Sequence, residues 1–375
     1  MQISNYIPEV ITNFNCLAKG GHAAPYGSGH INDSFLLKNE HADGPHYLLQ
    51  RINTSIFSNV DGLTENMLRV TDHLKRKLAD GSGDPMKEVM TLIPTHDGKY
   101  YHRDPAGNYW RMLHFLSDTR SYDMVSTEKQ AYQGGKAFGK FQSMLSDFPS
   151  EVLYEVIPNF HNIKFRLAQL QEAIEKNLAG RLDTVHEELA LVKLHADAML
   201  YFQQPETASM LPKRVTHNDT KFNNVLLNSN DEAQCVIDLE TVMEGYVAYD
   251  FGDAIRTIIN TAAEDEADLK KINLNLPLFQ AYTKGYLENA AGFLTDLEIQ
   301  SLIKGVLLFP YMQGVRFLTD HLNGDTYYKI KFPNHNLQRA RAQFQLFRIL
   351  HEKAPLIQQI IETEINNLKT SQAHG

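Results

Sequence analysis

The chain predicts an α+β fold in two lobes, an N-terminal antiparallel sheet lobe with one helix and a larger, mainly helical C-terminal lobe. Three observations carry that expectation. At 375 residues the chain exceeds the roughly 250 to 300 residues beyond which a single core stops growing. Its pattern changes near residue 117, from short aromatic or β-branched runs to apolar residues recurring at three- and four-residue steps. Short strand-like runs return once, near residues 214 to 237, where they flank a cluster of polar side chains. The expected lobes are 1–116 and 117–375, the second with a helical insert at about 150–210.

In order along the chain, strands are expected at Asp33–Leu37, Tyr47–Ile52, Glu88–Ile93, Lys99–His102 and Tyr109–Phe115, separated by Gly, Asp, Asn and Pro. Leu63, Met67, Val70, Leu74 and Leu78 give one apolar helical face between them. Ser126-Thr-Glu caps a helix running towards Leu145, and 163–203 reads as two helices broken around Leu178-Ala-Gly180. Strands at Arg214–Thr216, Val225–Leu227 and Cys235–Ile237 precede helices at 276–290, 296–322 and 336–368.

Composition excludes several classes. A net charge of −9 without a Lys/Arg cluster of any size argues against nucleic acid. Two cysteines, Cys16 and Cys235, are too few for a disulfide framework or a thiolate metal site, and fit a reducing cytoplasm. No stretch approaches the ~18 apolar residues of a membrane span. The expected particle is a monomer or a weak homodimer.

The chemistry is concentrated in His217-Asn-Asp219-Thr-Lys221-Phe-Asn-Asn224 and Cys235-Val-Ile-Asp238-Leu-Glu240. Phosphoryl transfer asks a protein mainly to align reactants and neutralise charge, so few residues are needed. Asp219 is the candidate base for an acceptor hydroxyl. Asn224 offers a neutral oxygen to magnesium, and Asp238, at the end of an apolar run, the anionic ligand. Lys221 has two readings, steadying charge on the γ-phosphoryl or facing solvent. Glu240 also has two, ligand to a second metal or solvated carboxylate. His217 reads as a structural histidine. Asp250-Phe-Gly252 looks like a magnesium motif, but no β-rich run delivers it, so Asp250 and Asp253 are expected to cap and brace, ahead of a helix at Ala254–Ile259. Gly27-Ser-Gly29 suits a turn over phosphates, and equally a plain hairpin.

These segments resemble the aminoglycoside phosphotransferase and choline kinase-like superfamily and, within it, the bacterial N-acetylhexosamine 1-kinases. The matching stretches are Tyr26–Asn32, Asn53–Phe57, Arg214–Asn224, Ile237–Leu239, Asp250–Arg256, Arg316-Phe-Leu, Gly324-Asp325 with Tyr327, and Pro333–Asn336. The resemblance implies a bilobal, protein kinase-like fold and transfer of the ATP γ-phosphate, with Mg2+, to the anomeric hydroxyl of N-acetylglucosamine or N-acetylgalactosamine. It gives Asp219 as base, Asn224 and Asp238 as metal ligands, and Arg316, Tyr327, His30 and Asn32 as sugar contacts. Without it, Arg316 reads equally as a surface ion-pair partner and Tyr327 as a packing aromatic. Adenine is expected near Leu113 to Leu116.

One departure stands out. The strand that carries an ATP-pairing lysine in other kinases reads Tyr47-Leu-Leu-Gln50-Arg51-Ile-Asn53. Gln50 or Arg51 must then meet the phosphates, or another group compensates, and Glu65 is a candidate helical partner. Two alternatives stay open: the same chemistry on an aminoglycoside, choline, homoserine or other small hydroxyl compound, and a nucleotide-binding module without catalysis.

Overall fold

The structure is a computed structural model that describes residues 7–18, 22–27, 31–39, 41, 44–81 and 83–373. Gly29 and His30 lie outside the described residues. In chain order the strands are β1 (Ala23–Pro25), β2 (Asp33–Leu37), β3 (Tyr47–Ile52), β4 (Leu92–Ile93), β5 (His102–Arg103), β6 (Tyr109–His114), β7 (Arg214–Thr216), β8 (Val225–Leu227), β9 (Ala233–Val236) and β10 (Met243–Gly245). The helices are α1 (Ile7–Ile11), α2 (Val60–Ala79), α3 (Pro85–Glu88), α4 (Glu128–Met144), α5 (Ile163–Lys176), α6 (His186–Met199), α7 (Pro205–Met210), α8 (Val247–Ile258), α9 (Leu276–Ala290), α10 (Asp296–Leu322), α11 (His335–Glu352) and α12 (Ala354–Ala373). None of these helices, among the described residues, is long and apolar enough to cross a membrane.

The chain divides into two compact units. The first comprises Met1–Ser121, Asp147–Pro158 and Val225–Met243. Among its described residues an antiparallel sheet runs β1-β2-β3-β6-β4, with β5 on β6. β3 and β6 pair along six residues, Tyr47 opposite His114 through Ile52 opposite Tyr109, which sets Gln50 against Arg111. Alternation on these strands sends Tyr47, Leu49, Trp110 and Met112 into a core shared with Ile7, Val10, Ile11 and Phe14. α2 starts where Asn59 accepts from the Gly62 N–H, and buries Leu63, Met67, Val70, Leu74 and Leu78.

The second unit comprises Tyr122–Ser146, Asn159–Asn224 and Glu244–Gly375, and is mainly helical. Its long central helix, α10, opens on a capping box between Thr295 and Glu298. Glycines set the packing of α8 on α10. A Cβ at Gly305 would collide with the Ala248 carbonyl oxygen, and one at Gly252 with the Gly305 carbonyl oxygen, so the two backbones meet directly.

Several sequence expectations are corrected. Glu88–Ile93 is not one strand: Asp84 caps a turn that begins with Pro85, and only Leu92–Ile93 pairs. The strand expected at Lys99–His102 falls at His102–Arg103. The helix expected at 336–368 is two, parted at Lys353 just ahead of Pro355. α8 begins at Val247 rather than Ala254, so Asp250-Phe-Gly252 lies inside the helix. Gly252, a helix weakener by propensity, is kept there by the close approach of α10.

Candidate functional site

In the second unit the segment after β7 turns sharply. Asn218 has φ 64°, a left-handed conformation that asparagine tolerates better than most residues. Helix α8 holds the turn. The N–H groups of His217 and Asn218 donate to Asp250 Oδ2 and Oδ1, each at 2.8 Å, and Gln142 Nε2 donates to Oδ2 at 2.7 Å. Thr220 donates its hydroxyl to the Asp250 carbonyl at 2.6 Å and its N–H to Asp253 Oδ2 at 3.1 Å. Asp253 is itself paired with Arg256 at 3.0 Å. The bracing role expected of Asp250 and Asp253 is what the geometry contains. His217 is fully buried against the edges of Phe138 and Phe141, and its Nδ1 accepts from the Asp219 N–H at 3.2 Å. It is a structural histidine, as its sequence suggested.

The braced turn presents Asp219, Lys221 and Asn224 together. Lys221 Nζ lies 2.9 Å from Asp219 Oδ1. Asn224 Nδ2 donates to the Asp219 carbonyl at 2.9 Å and to Oδ2 at 3.3 Å, so the amide oxygen is the atom left to face a cation. Burial pushes the Asp219 carboxyl up, but Lys221, with smaller contributions from His217 and Arg256, holds the group below the ordinary carboxylate range. Asp219 in turn raises Lys221 above the ordinary lysine value. The Lys221 side chain is half-exposed and ion-paired with Asp219.

Around Asp219 the same unit gathers cations and aromatic rings. The Arg316 guanidinium lies over Phe160 at 5.5 Å and Tyr328 at 5.6 Å, and donates to Gln313 Oε1 at 2.7 Å. His161 Nε2 is 2.9 Å from the Asn218 carbonyl, which makes it the donor and leaves Nδ1 as a buried acceptor without a hydrogen-bond partner among the described residues. Burial, with Arg316 and Arg166 nearby, takes His161 down to about 3, so its ring is neutral. Tyr327 is 63% exposed, whereas Tyr328 faces Arg316 and carries a buried hydroxyl without a hydrogen-bond partner among the described residues. Asp320 fixes this segment by accepting from the N–H groups of Tyr327 at 2.8 Å and Tyr328 at 2.9 Å, and from Asn336 Nδ2 at 2.8 Å. Sequence reading missed His161, Tyr328 and Asp320. They lie 58, 109 and 101 positions from Asp219 in the chain, and only the adjacency of Tyr328 to Tyr327 gave any signal.

In the first unit Asp238 follows β9 in a left-handed conformation, φ 64° and ψ 53°, and opens the one-turn helix Leu239–Thr241. Two residues on, Glu240 is only 3% exposed, which overturns the solvated reading of that carboxylate. Its Oε1 receives the buried Arg111 guanidinium, as an ion pair, and Asn32 Nδ2 at 2.9 Å; Oε2 is buried and has no hydrogen-bond partner among the described residues. Asn32 Oδ1 accepts from the Asn53 N–H at 2.9 Å. Gln50 donates to Ser34 Oγ at 3.0 Å, and its Oε1 accepts from Arg111 Nε at 2.9 Å and from a terminal nitrogen of Arg111 at 2.7 Å. Arg51 pairs with Asp33 beside it on the sheet. Glu65 turns outward to Arg69 at 2.8 Å instead of towards the sheet. α2 meets Arg111 with the Met67 sulfur, at 3.0 Å. Gly27 has φ 78° with open space where a Cβ would stand. Leu113 and Leu116 are buried, and the Leu116 carbonyl accepts from the Thr119 hydroxyl at 2.8 Å.

Comparison with known proteins accords with this geometry. A model of the phosphotransferase enzyme family APH matches residues 22–290. Among solved structures, an aminoglycoside phosphotransferase from Alicyclobacillus acidocaldarius subsp. acidocaldarius DSM 446 is 13% identical, with a TM-score of 0.59 and 96% of each chain covered. A choline kinase from Cryptosporidium parvum Iowa II is 14% identical, with a TM-score of 0.59, covering 96% of this chain and 97% of that one. The amicoumacin kinase hAmiN, solved with AMP-PNP, Ca2+ and Ami, is 12% identical, with a TM-score of 0.59 and coverages of 93% and 94%. At these identities the likeness is one of fold.

Proposed function

The chain belongs to the phosphotransferase enzyme family APH, and on that premise we propose that it transfers the γ-phosphoryl group of ATP to the anomeric hydroxyl of an N-acetylhexosamine, either N-acetylglucosamine or N-acetylgalactosamine. Asp219 takes the proton of the acceptor hydroxyl as that oxygen forms its bond to phosphorus and the bond to ADP breaks. Its depressed carboxyl keeps it in the basic form at neutral pH. Lys221 balances the charge beside it.

The residues fit a magnesium ion by their chemistry. Asn224 and Asp238 offer hard oxygen ligands, and Glu240 Oε2, two residues from Asp238 and without a hydrogen-bond partner among the described residues, is a buried oxygen of the same kind. When bound, magnesium neutralises phosphate charge. A nucleotide and a divalent cation are supported by the complex in which the amicoumacin kinase was solved. Adenine is assigned to the strand end at Leu113 to Leu116, and the phosphates to the turn at Gly27 and Gly29.

The observation that carries the choice of acceptor is the pair of guanidiniums, Arg316 and Arg166, beside the Asp219 turn, where the carboxylates Asp253 and Glu264 act on Lys221 instead. Arg316 and Arg166 both bear on the neutral His161 beside the Asp219 turn, and Arg316, Tyr328 and Tyr327 bear in turn on Arg166. Such a group repels a cationic amine and suits a neutral polyol, which Arg316 can meet by hydrogen bonds and the rings by stacking. His161 Nδ1 and the Tyr328 hydroxyl, both buried and without a hydrogen-bond partner among the described residues, lie in the same group of rings and guanidiniums. ADP release measured against a panel of N-acetylhexosamines, other free sugars, choline, homoserine and aminoglycosides decides the acceptor. Turnover confined to N-acetylhexosamines is expected, and silence with all of them while an amine is consumed overturns the assignment.

A further inference from the structure

We propose that Arg111 is the phosphate-facing cation of the nucleotide-binding unit, standing in from β6 for the lysine that β3 lacks, with Glu240 as its carboxylate partner. This rests on the reading of the first unit as the ATP site. Gln50 and Arg111 are directly opposed across the β3–β6 pair. A cation moved from one to the other changes strands but not level in the sheet, because opposed residues on neighbouring strands project to the same face.

The side-chain bonds follow the same logic. Gln50 accepts twice from Arg111, so it seats the guanidinium and replaces the missing charge only indirectly. Glu240 takes the place of the helix carboxylate, since Glu65 is turned outward to Arg69 and α2 presents only a thioether. Met67 is a weak acceptor, which leaves part of the guanidinium fork short of a strong partner. Arg111 is 2% exposed and Glu240 3%. Burying such a pair is a poor way to gain stability, because desolvation offsets most of the attraction. A buried pair two residues from Asp238 therefore points to a charge needed by a ligand. Burial brings Arg111 down to about 10, while Asp238 pulls the other way, so the guanidinium keeps its charge at neutral pH.

The test compares binding of MgATP and of adenosine, by calorimetry, to the wild-type protein, Arg111→Met, and the double variant Gln50→Lys/Arg111→Met, which returns a cation to β3. Losing a charged hydrogen bond weakens a ligand by roughly 10- to 100-fold. Arg111→Met is expected to lose about that factor for MgATP and none for adenosine, and the double variant to regain most of it. Equal losses for both ligands, or none for either, would overturn the proposal and leave Arg111 as a structural residue. Should Arg111→Met not fold, the double variant decides alone: a retained preference for MgATP over adenosine supports the assignment, and its loss overturns it. Wild-type protein that binds neither ligand would instead refute the underlying ATP site.

Discussion

Asp219→Asn is expected to lower kcat by roughly 100- to 10,000-fold, the range lost with a general base, while leaving the melting temperature and nucleotide affinity close to wild type. Asparagine keeps the shape and an acceptor oxygen, but cannot take a proton from the acceptor hydroxyl. The surrounding turn does not depend on the Asp219 carboxylate for its own bracing, which comes from Asp250 and Asp253. The wild-type pH profile gives the complementary reading. Because Lys221, His217 and Arg256 together hold the Asp219 carboxyl down against its burial, the base stays ionised as pH falls to the ordinary carboxylate range. The acid limb of kcat should therefore lie below that range. A limb near pH 6 or 7, or an Asp219→Asn enzyme with near wild-type turnover, would remove Asp219 from the role.

Asp250→Ala should have the largest effect on stability. It removes the acceptor of the His217 and Asn218 N–H groups and of Gln142, all in a buried setting. At about 1 to 3 kcal/mol for each unsatisfied buried group, with some relaxation, a loss of roughly 3 to 5 kcal/mol is expected. Turnover should fall with it, since the Asp219 turn loses its brace. Asp250→Asn, which keeps one acceptor oxygen, should lose less. Urea melts of the three proteins check this ordering, and an Asp250→Ala curve that overlays wild type would contradict it.

Much of this was legible in the sequence where a signal is local. β2, β3, β7 and β8 fall where alternation or a short apolar run predicted them, and the Asp219 and Asp238 segments stand out by spacing alone. Elements whose limits depend on packing were harder. α8 includes Gly252 because the α10 backbone at Gly305 approaches it, and no pattern around Asp250 announces that contact. The turn at Pro85 shortened an expected strand because an Asp cap followed by proline outweighs the β-branched residues after it.

The site divides the same way. Asp250 reads as a brace in the sequence because a better-delivered carboxylate, Asp238, fills the metal role. The missing β3 lysine was equally visible, but its replacement was not. Arg111 looks like an ordinary strand arginine until the register sets it opposite Gln50 and the chain brings Glu240 to it from 129 residues away. His161 and Tyr328 were silent for the same reason: each depends on a contact distant in sequence, with the Asn218 carbonyl and with Arg316.

On the proposed function, Asp219 directs a phosphoryl group onto an anomeric hydroxyl. The most direct test is phosphorus and proton NMR of the product formed from MgATP and N-acetylglucosamine or N-acetylgalactosamine. The account predicts a phosphorus resonance coupled to the proton on C1 of the sugar, formed by the wild-type protein and not by Asp219→Asn. Phosphate carried on any other hydroxyl, or no phosphosugar while ATP is consumed with an amine acceptor, would contradict it.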